Sequence, residues 1–306
     1  MTGPERHGPI GFLGVGTMGR GMVHCLLTAG YDVVCFDVSP TALDRVAADG
    51  AAVAESPADV ARRARVVLSM LPAADHVEAA LIGPGGAVDG AGDNSIFVDA
   101  STVDPMTIGR LASRLAPEGI KLVDGAVSGS PRMAWDGAVT LLVGGSHDVI
   151  EDLTPVLQSL CAMLIHTGEL GTAKVAKLVN NLVGAVSMVL VSEAFAFGLR
   201  AGVDARVLHA AMMSSWARCA NLESMAPVAA LRPDSPPDER FPDFSIDNMI
   251  KDLTCVLETA RHHGSVTALT SLAQQVYVAA SAQGYGGDAI WNVFEAIRSA
   301  SVSARS

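Results

Sequence analysis

Gly14-Val15-Gly16-Thr17-Met18-Gly19 spaces three glycines as G-x-G-x-x-G, directly after the apolar run Ile10–Gly14 and directly before a stretch of helical periodicity. Strand, glycine loop and helix form the context in which this spacing binds a dinucleotide pyrophosphate. Gly14 permits the tight turn, Gly16 lets backbone amides approach the phosphates, and Gly19 allows close packing of helix on strand. Thr17 and Met18 open the helix, where its dipole favours an anion. A second apolar run ends at Asp37, about 20 residues further on, where a carboxylate accepts hydrogen bonds from the adenosine ribose hydroxyls. An acid there repels a 2′-phosphate, and Val38-Ser39-Pro40 brings no arginine to hold one. The chemistry indicated is NAD binding, with NADP disfavoured, and hence hydride transfer.

Such a loop needs a parallel sheet beneath it. Between Pro9 and His166, short apolar runs alternate with helical segments, as βαβ units do. Strands are expected at Ile10–Gly14, Asp32–Asp37, Val66–Leu71, Ile96–Asp99, Lys121–Ala126, Val139–Val143 and Met163–His166. Their Val-rich, non-alternating character predicts burial on both faces. Ser39-Pro40, Ser56-Pro57 and Asp104-Pro105 each place a capping side chain before a proline suited to the first helical position. After Gly168 the periodicity is helical throughout, with breaks at Gly202, near Pro227, at Gly264 and from Gly284 to Gly287. The expected fold is α/β: an N-terminal Rossmann-type doubly wound sheet over residues 1–167 and a C-terminal all-α domain over 168–306, joined by a long helix beginning near Thr172. The proline-rich, charged stretch from Arg232 to Pro242 should be an exposed loop.

Composition narrows the partners. A net charge of −11 repels a polyanion, so nucleic acid is not expected. Charged residues are 17% of the chain, against about 25% in average domains, while half the residues are apolar. Much of the surface should therefore be hidden in core or subunit contacts, as in a homodimer or homotetramer. Five widely spaced cysteines, with no C-x-x-C pair, indicate neither a disulfide framework nor a metal site. The N-terminus lacks the basic start and apolar run of a signal peptide, which predicts a cytoplasmic protein. Leu178 to Ala201 is long and apolar enough to suggest a membrane span, but Asn180, Asn181 and Glu193 favour a core helix wrapped on all sides by protein, with no membrane partner.

Beyond the glycine loop, further segments stand in order: Leu71-Pro72, Asp99-Ala100-Ser101-Thr102, Asp124 to Gly129 (DGAVSG), Gly168 to Asn181 (GELGTAKVAKLVNN) and Lys251-Asp252-Leu253. With these the chain resembles the β-hydroxyacid dehydrogenases, the family of 3-hydroxyisobutyrate dehydrogenase and tartronate semialdehyde reductase, over nearly its whole length. The resemblance implies an NAD-dependent oxidoreductase acting on a small 3-hydroxy acid or its semialdehyde. It places the catalytic lysine at Lys177, with Asn181 beside it; residues i and i+4 share a helix face. Lys174 is the competing lysine, and the spacing of lysine, two residues, then Asn-Asn selects Lys177. The resemblance further implies that Ser128 and Gly129, with Ser130 following, bind the substrate carboxylate and hydroxyl, and that Phe244 and Asp252 line the pocket. Leu71, Pro72, Thr102 and Lys251 fall where the family holds its cofactor.

Two departures stand out. After Ser128-Gly129 the chain reads Ser130-Pro131-Arg132-Met133-Ala134-Trp135, where Pro131 and Met133 look more like the imine reductases. Trp216 stands where relatives carry a small residue near the substrate, and serves either as a pocket wall or as a core residue. Imine reduction, or a catalytically silent dinucleotide-binding module, are the alternatives these features leave open.

Overall fold

A computed structural model describes residues 7–224, 226–231 and 244–300. The expected loop from Arg232 to Pro242 lies outside them. The chain divides into two units, Met1–Lys177 and Leu178–Ser306.

In the first unit, apolar runs become strands wherever both faces can be buried. The order is β1 (Ile10–Leu13), α1 (Thr17–Thr28), β2 (Val33–Phe36), α2 (Pro40–Ala48), β3 (Ala52–Val53), α3 (Pro57–Arg63), β4 (Val66–Ser69), α4 (Ala74–Ile82), β5 (Ile96–Asp99), α5 (Pro105–Leu115), β6 (Lys121–Ser128), α6 (Pro131–Trp135), β7 (Thr140–Gly144), α7 (His147–Gln158) and β8 (Met163–Gly168). The strands form one sheet in the order β3-β2-β1-β4-β5-β6-β7-β8. Ser39, Ser56 and Asp104 cap α2, α3 and α5 with their side chains, each before its proline, as the sequence predicts. One core packs α1, α2, α6 and α7 on one face through residues such as Met22, Leu26, Val46, Ala134 and Leu153. A second packs α3, α4 and α5 on the other through Val60, Leu81, Ile108 and Leu111.

Three details differ from the sequence expectation. Strand β3 has two residues, too few to show a pattern. Strand β7 runs antiparallel to β6 where a parallel sheet was expected throughout. The connection between them, Gly129 to Val139, holds only the short α6, whereas a parallel crossover needs about a dozen residues or more. Strand β8 is not buried on both faces, because it closes the sheet as an edge and leaves Met163 and Ile165 exposed.

Helix α8 (Thr172–Arg200) begins where the sequence places it and runs from the first unit into the second. The second unit adds α9 (Ala205–Met213), α10 (Ala220–Ser224), α11 (Ile246–His262), α12 (Ala268–Ala280) and α13 (Val293–Ala300), and no strand occurs among its described residues. Leu178, Met188, Leu253, Tyr277 and Val293 centre its main core. The expectation that α8 is wrapped on all sides by protein is corrected. Val179, Val183, Leu190 and Phe197, which share one face, are 55%, 61%, 63% and 75% exposed. Apolar residues occur on every side of the helix, so its pattern gives no sign of which face the chain itself leaves open.

Candidate active site

The sheet reverses direction of winding between β1 and β4, and ligands of open α/β sheets bind beyond the carboxyl ends of the strands at such a point. The glycine loop lies there. Gly14 turns with φ of +86°, and a Cβ on it would collide with the Met70 carbonyl oxygen. A Cβ on Gly19 would strike the Gly14 carbonyl oxygen, so α1 packs on β1 only without one. Around Gly16 the space is open. No side chain caps α1, in contrast to α2, α3 and α5, so the first-turn amides at Thr17 and Met18 are left for an anion. The residues present therefore fit a dinucleotide pyrophosphate.

Asp37 does more than mark the end of β2. Its Oδ2 accepts from the Val15 amide at 2.8 Å and its Oδ1 from the Ser39 amide at 2.8 Å, which ties the glycine loop to the second strand. Each oxygen keeps a further lone pair for a ribose hydroxyl. Asp37→Ala is expected to raise the Michaelis constant for NAD at a loss of about 1.5–3 kcal/mol and to narrow the gap to NADP. A comparison of steady-state constants for both dinucleotides checks this, and a wild-type preference for NADP would refute the role given to Asp37.

The ends of β4, β5 and β6 carry the next group. The Leu71 amide donates to Ser101 Oγ at 2.9 Å, which sets the course of Leu71-Pro72, and Thr102 follows directly. Ser128 ends β6 half-buried, so it belongs to a strand and not to a tight turn. Gly129 and Ser130 are exposed, and Ser130 Oγ accepts from the Met133 amide at 3.3 Å as the cap of α6. The Ser130-Pro131 departure is thus a helix start of the same kind as Ser39-Pro40 and Ser56-Pro57.

At the start of α8 the two lysines part. Asp124, at 0% exposure, accepts from the Gly171 amide at 2.7 Å, the Ala173 amide at 2.9 Å and the Lys174 amide at 3.1 Å, pinning the first turn of the helix to β6. Lys174 Nζ is buried against the Asp99 carboxylate at 2.8 Å and the carbonyls of Asp99 (2.7 Å), Ser101 (2.7 Å) and Gly125 (2.6 Å). Three protons for four acceptors satisfy the ammonium completely. Asp99 in turn accepts from Ser69 Oγ at 2.8 Å and Ser101 Oγ at 2.7 Å. Lys174 is therefore a structural ion, while Lys177, three residues on, is only half-buried. Sequence reasoning missed this network. The available signal was an acid within each of two apolar strands, Asp99 at the end of β5 and Asp124 inside β6, because a carboxylate so placed must find a partner.

In the second unit Asn181, one turn after Lys177 along α8, is buried and donates to Asp252 Oδ2 at 2.7 Å. Lys251 Nζ stands 3.0 Å from Asp252 Oδ1 as an ion pair. These contacts bring together three residues singled out from two distant segments. Phe244 is exposed and its carbonyl accepts from the Ile290 amide at 3.0 Å, while Trp216 is fully exposed, which removes its reading as a core residue.

Residues 9–168 match the family model described as the NAD binding domain of 6-phosphogluconate dehydrogenase, and residues 171–297 match that described as the NAD-binding of NADP-dependent 3-hydroxyisobutyrate dehydrogenase. The chain is 34% identical to the probable mitochondrial 3-hydroxyisobutyrate dehydrogenase of Dictyostelium discoideum, over 90% of this chain and 87% of that protein. Among solved structures, the Mycobacterium tuberculosis 3-hydroxyisobutyrate dehydrogenase with L-serine is similar at 29% identity, 95% and 99% coverage and a TM-score of 0.86. An imine reductase from Pseudomonas sp. shares the fold at 18% identity, 95% and 99% coverage and a TM-score of 0.61. The expectation of a cytoplasmic protein is overturned by relatives named as mitochondrial. Cysteine spacing bears on whether a compartment is reducing or oxidising, but does not tell one reducing compartment from another.

Proposed function

This chain belongs to the β-hydroxyacid dehydrogenase family, that of 3-hydroxyisobutyrate dehydrogenase, and from that membership we propose that it oxidises the carbinol carbon of a small 3-hydroxy acid reversibly, with NAD as its cofactor. The observation that carries the reading is the pyrophosphate cradle at the reversal of the sheet, combined with a helix that presents Lys177 and then Asn181 at one-turn spacing. NAD, when bound, supplies the hydride acceptor. In oxidation the neutral Lys177 amine takes the hydroxyl proton, and in reduction its ammonium returns a proton to the carbonyl oxygen. Asn181, held by Asp252, orients the lysine and the hydroxyl. Ser128 Oγ and the Gly129 amide hold the carboxylate, with Ser130 behind them. Thr102, Leu71, Pro72 and Lys251 contact the cofactor; Trp216 and Phe244, neither with a core to fill, border the substrate.

The substrate class agrees with the serine in the Mycobacterium tuberculosis structure, since serine is itself a 3-hydroxy acid. Following NADH absorbance with 3-hydroxyisobutyrate, D- and L-glycerate, serine and 3-hydroxypropionate, and NADH consumption with a cyclic imine, tests the reading. Turnover of the imine alone would favour imine reduction, and none at all a silent dinucleotide-binding module.

The open face of α8 supports assembly with a second copy of this chain. Val179 to Phe197 extends about 27 Å at 1.5 Å per residue, and an apolar stripe of that length on a low-charge surface suits an isologous contact with its own symmetry mate. Light scattering should report a homo-oligomer, and Leu190→Glu with Phe197→Glu should shift it towards monomer. A monomeric wild-type protein refutes the assignment.

A further inference from the structure

Trp135 has no part in the roles above, yet it stands where the substrate segment meets the cofactor helix. Ser128–Ser130 runs directly into α6, and α6 lies on α1, the helix that opens at the phosphate loop. The Trp135 indole stacks on the His24 imidazole, with ring centroids 4.0 Å apart and planes 7° from parallel. The Arg20 guanidinium carbon lies 5.2 Å from the indole centroid, within cation–π reach, and is itself held by Asp49 through bonds of 2.7 and 3.0 Å. The Cys25 thiol donates to the carbonyls of Ala134 at 3.3 Å and Trp135 at 3.5 Å. Burial pushes that thiol's pKa up, so it remains a protonated donor at neutral pH. A Cβ on Gly21 would come within 2.8 Å of the Trp135 backbone nitrogen, so the two backbones touch only because that residue has no side chain.

We propose that Trp135 is a positioning residue for the substrate: by clamping α6 to α1 it holds Ser128 and Gly129 in a fixed relation to the phosphate loop, so that the hydroxy acid's carboxylate meets a preformed site. The proposal rests on the assignment of Ser128 and Gly129 to the carboxylate. The pyrophosphate end is secured separately, by the Gly14 amide on the Phe36 carbonyl at 3.0 Å and the Val15 amide on Asp37. Loosening the clamp therefore leaves the cofactor's loop in place. The order lost at Ser128–Ser130 must then be supplied when substrate binds, which weakens binding without altering the reacting groups.

Trp135→Ala is expected to raise the KM for the hydroxy acid by roughly tenfold, the upper range for loss of an aromatic pair, with kcat and the KM for NAD unchanged. Trp135→Phe, which keeps a stacking ring, should restore most of the loss. His24→Ala removes the stack from the other side and should raise the same KM, and the double variant should be no worse than the poorer single one. Hydrogen exchange adds a readout independent of turnover: amides of Gly129 to Trp135 should exchange faster in Trp135→Ala, with Gly14 to Gly19 unaffected. A wild-type enzyme inactive on every hydroxy acid would remove the functional reading but leave this exchange difference to be observed or not. Unchanged exchange at Gly129 to Trp135, an unchanged hydroxy-acid KM, or an equal rise in both KM values overturns the proposal.

Discussion

Lys177→Ala is expected to lose at least about 10²-fold in turnover, the low end for general acid–base catalysis, while NADH binds nearly as in the wild type. The binding expectation follows from place: the glycine loop and Asp37 are held by β1 and β2, and Lys177 belongs to neither. The pH dependence carries its own sign. Oxidation needs the neutral amine, and an ordinary lysine, with a pKa of about 10.4, is almost wholly charged at pH 7. Oxidation should therefore rise as pH rises towards the lysine's pKa, whereas carbonyl reduction, which needs the ammonium, should fall. Initial rates in both directions from pH 6 to 10, with NADH affinity from fluorescence titration, give the test. Wild-type turnover with an unaltered pH profile in the variant refutes the role, and loss of NADH affinity would make Lys177 a cofactor ligand instead.

Lys174→Met should act on stability. It removes the cation paired with a carboxylate at 0% exposure, and breaking a buried pair by deleting one partner costs about 3–5 kcal/mol. That is a large fraction of the roughly 5–15 kcal/mol by which a domain is stable. The measurement is the denaturant midpoint of the wild type and the variants. Lys174→Met with Asp99→Leu should recover part of the loss, because no charge is then stranded. Recovery is incomplete, since the carbonyls of Ser101 and Gly125 also lose their donor. A Lys174→Met protein as stable as the wild type would mean that the pair contributes nothing to the fold.

Lys174 and Lys177 also show where reading a sequence stops. Three residues apart on a helix, both could face one cleft, and only the family spacing favoured the second. What makes Lys174 structural is Asp99, 75 residues earlier, and no local pattern connects them. Trp216 and Trp135 illustrate the same limit. The surroundings of an indole depend on which elements pack over it, so a tryptophan read as pocket wall or core emerges fully exposed, while another in an unremarked helix stacks on His24.

The sequence alone determined the parts governed by local physics. These are the strand, glycine loop and helix of the phosphate site, the acid ending the second strand, the Ser-Pro and Asp-Pro helix starts, and the division into a sheet-bearing and a helical region. Each follows from φ/ψ restriction, capping or periodicity within some twenty residues. Tertiary structure alone decided the buried Lys174–Asp99 pair, the tie between Asp37 and the glycine loop, and the open apolar face of α8. Those depend on the packing of elements distant in sequence, where burial makes an unpartnered charge or amide costly and so selects partners that periodicity cannot reveal.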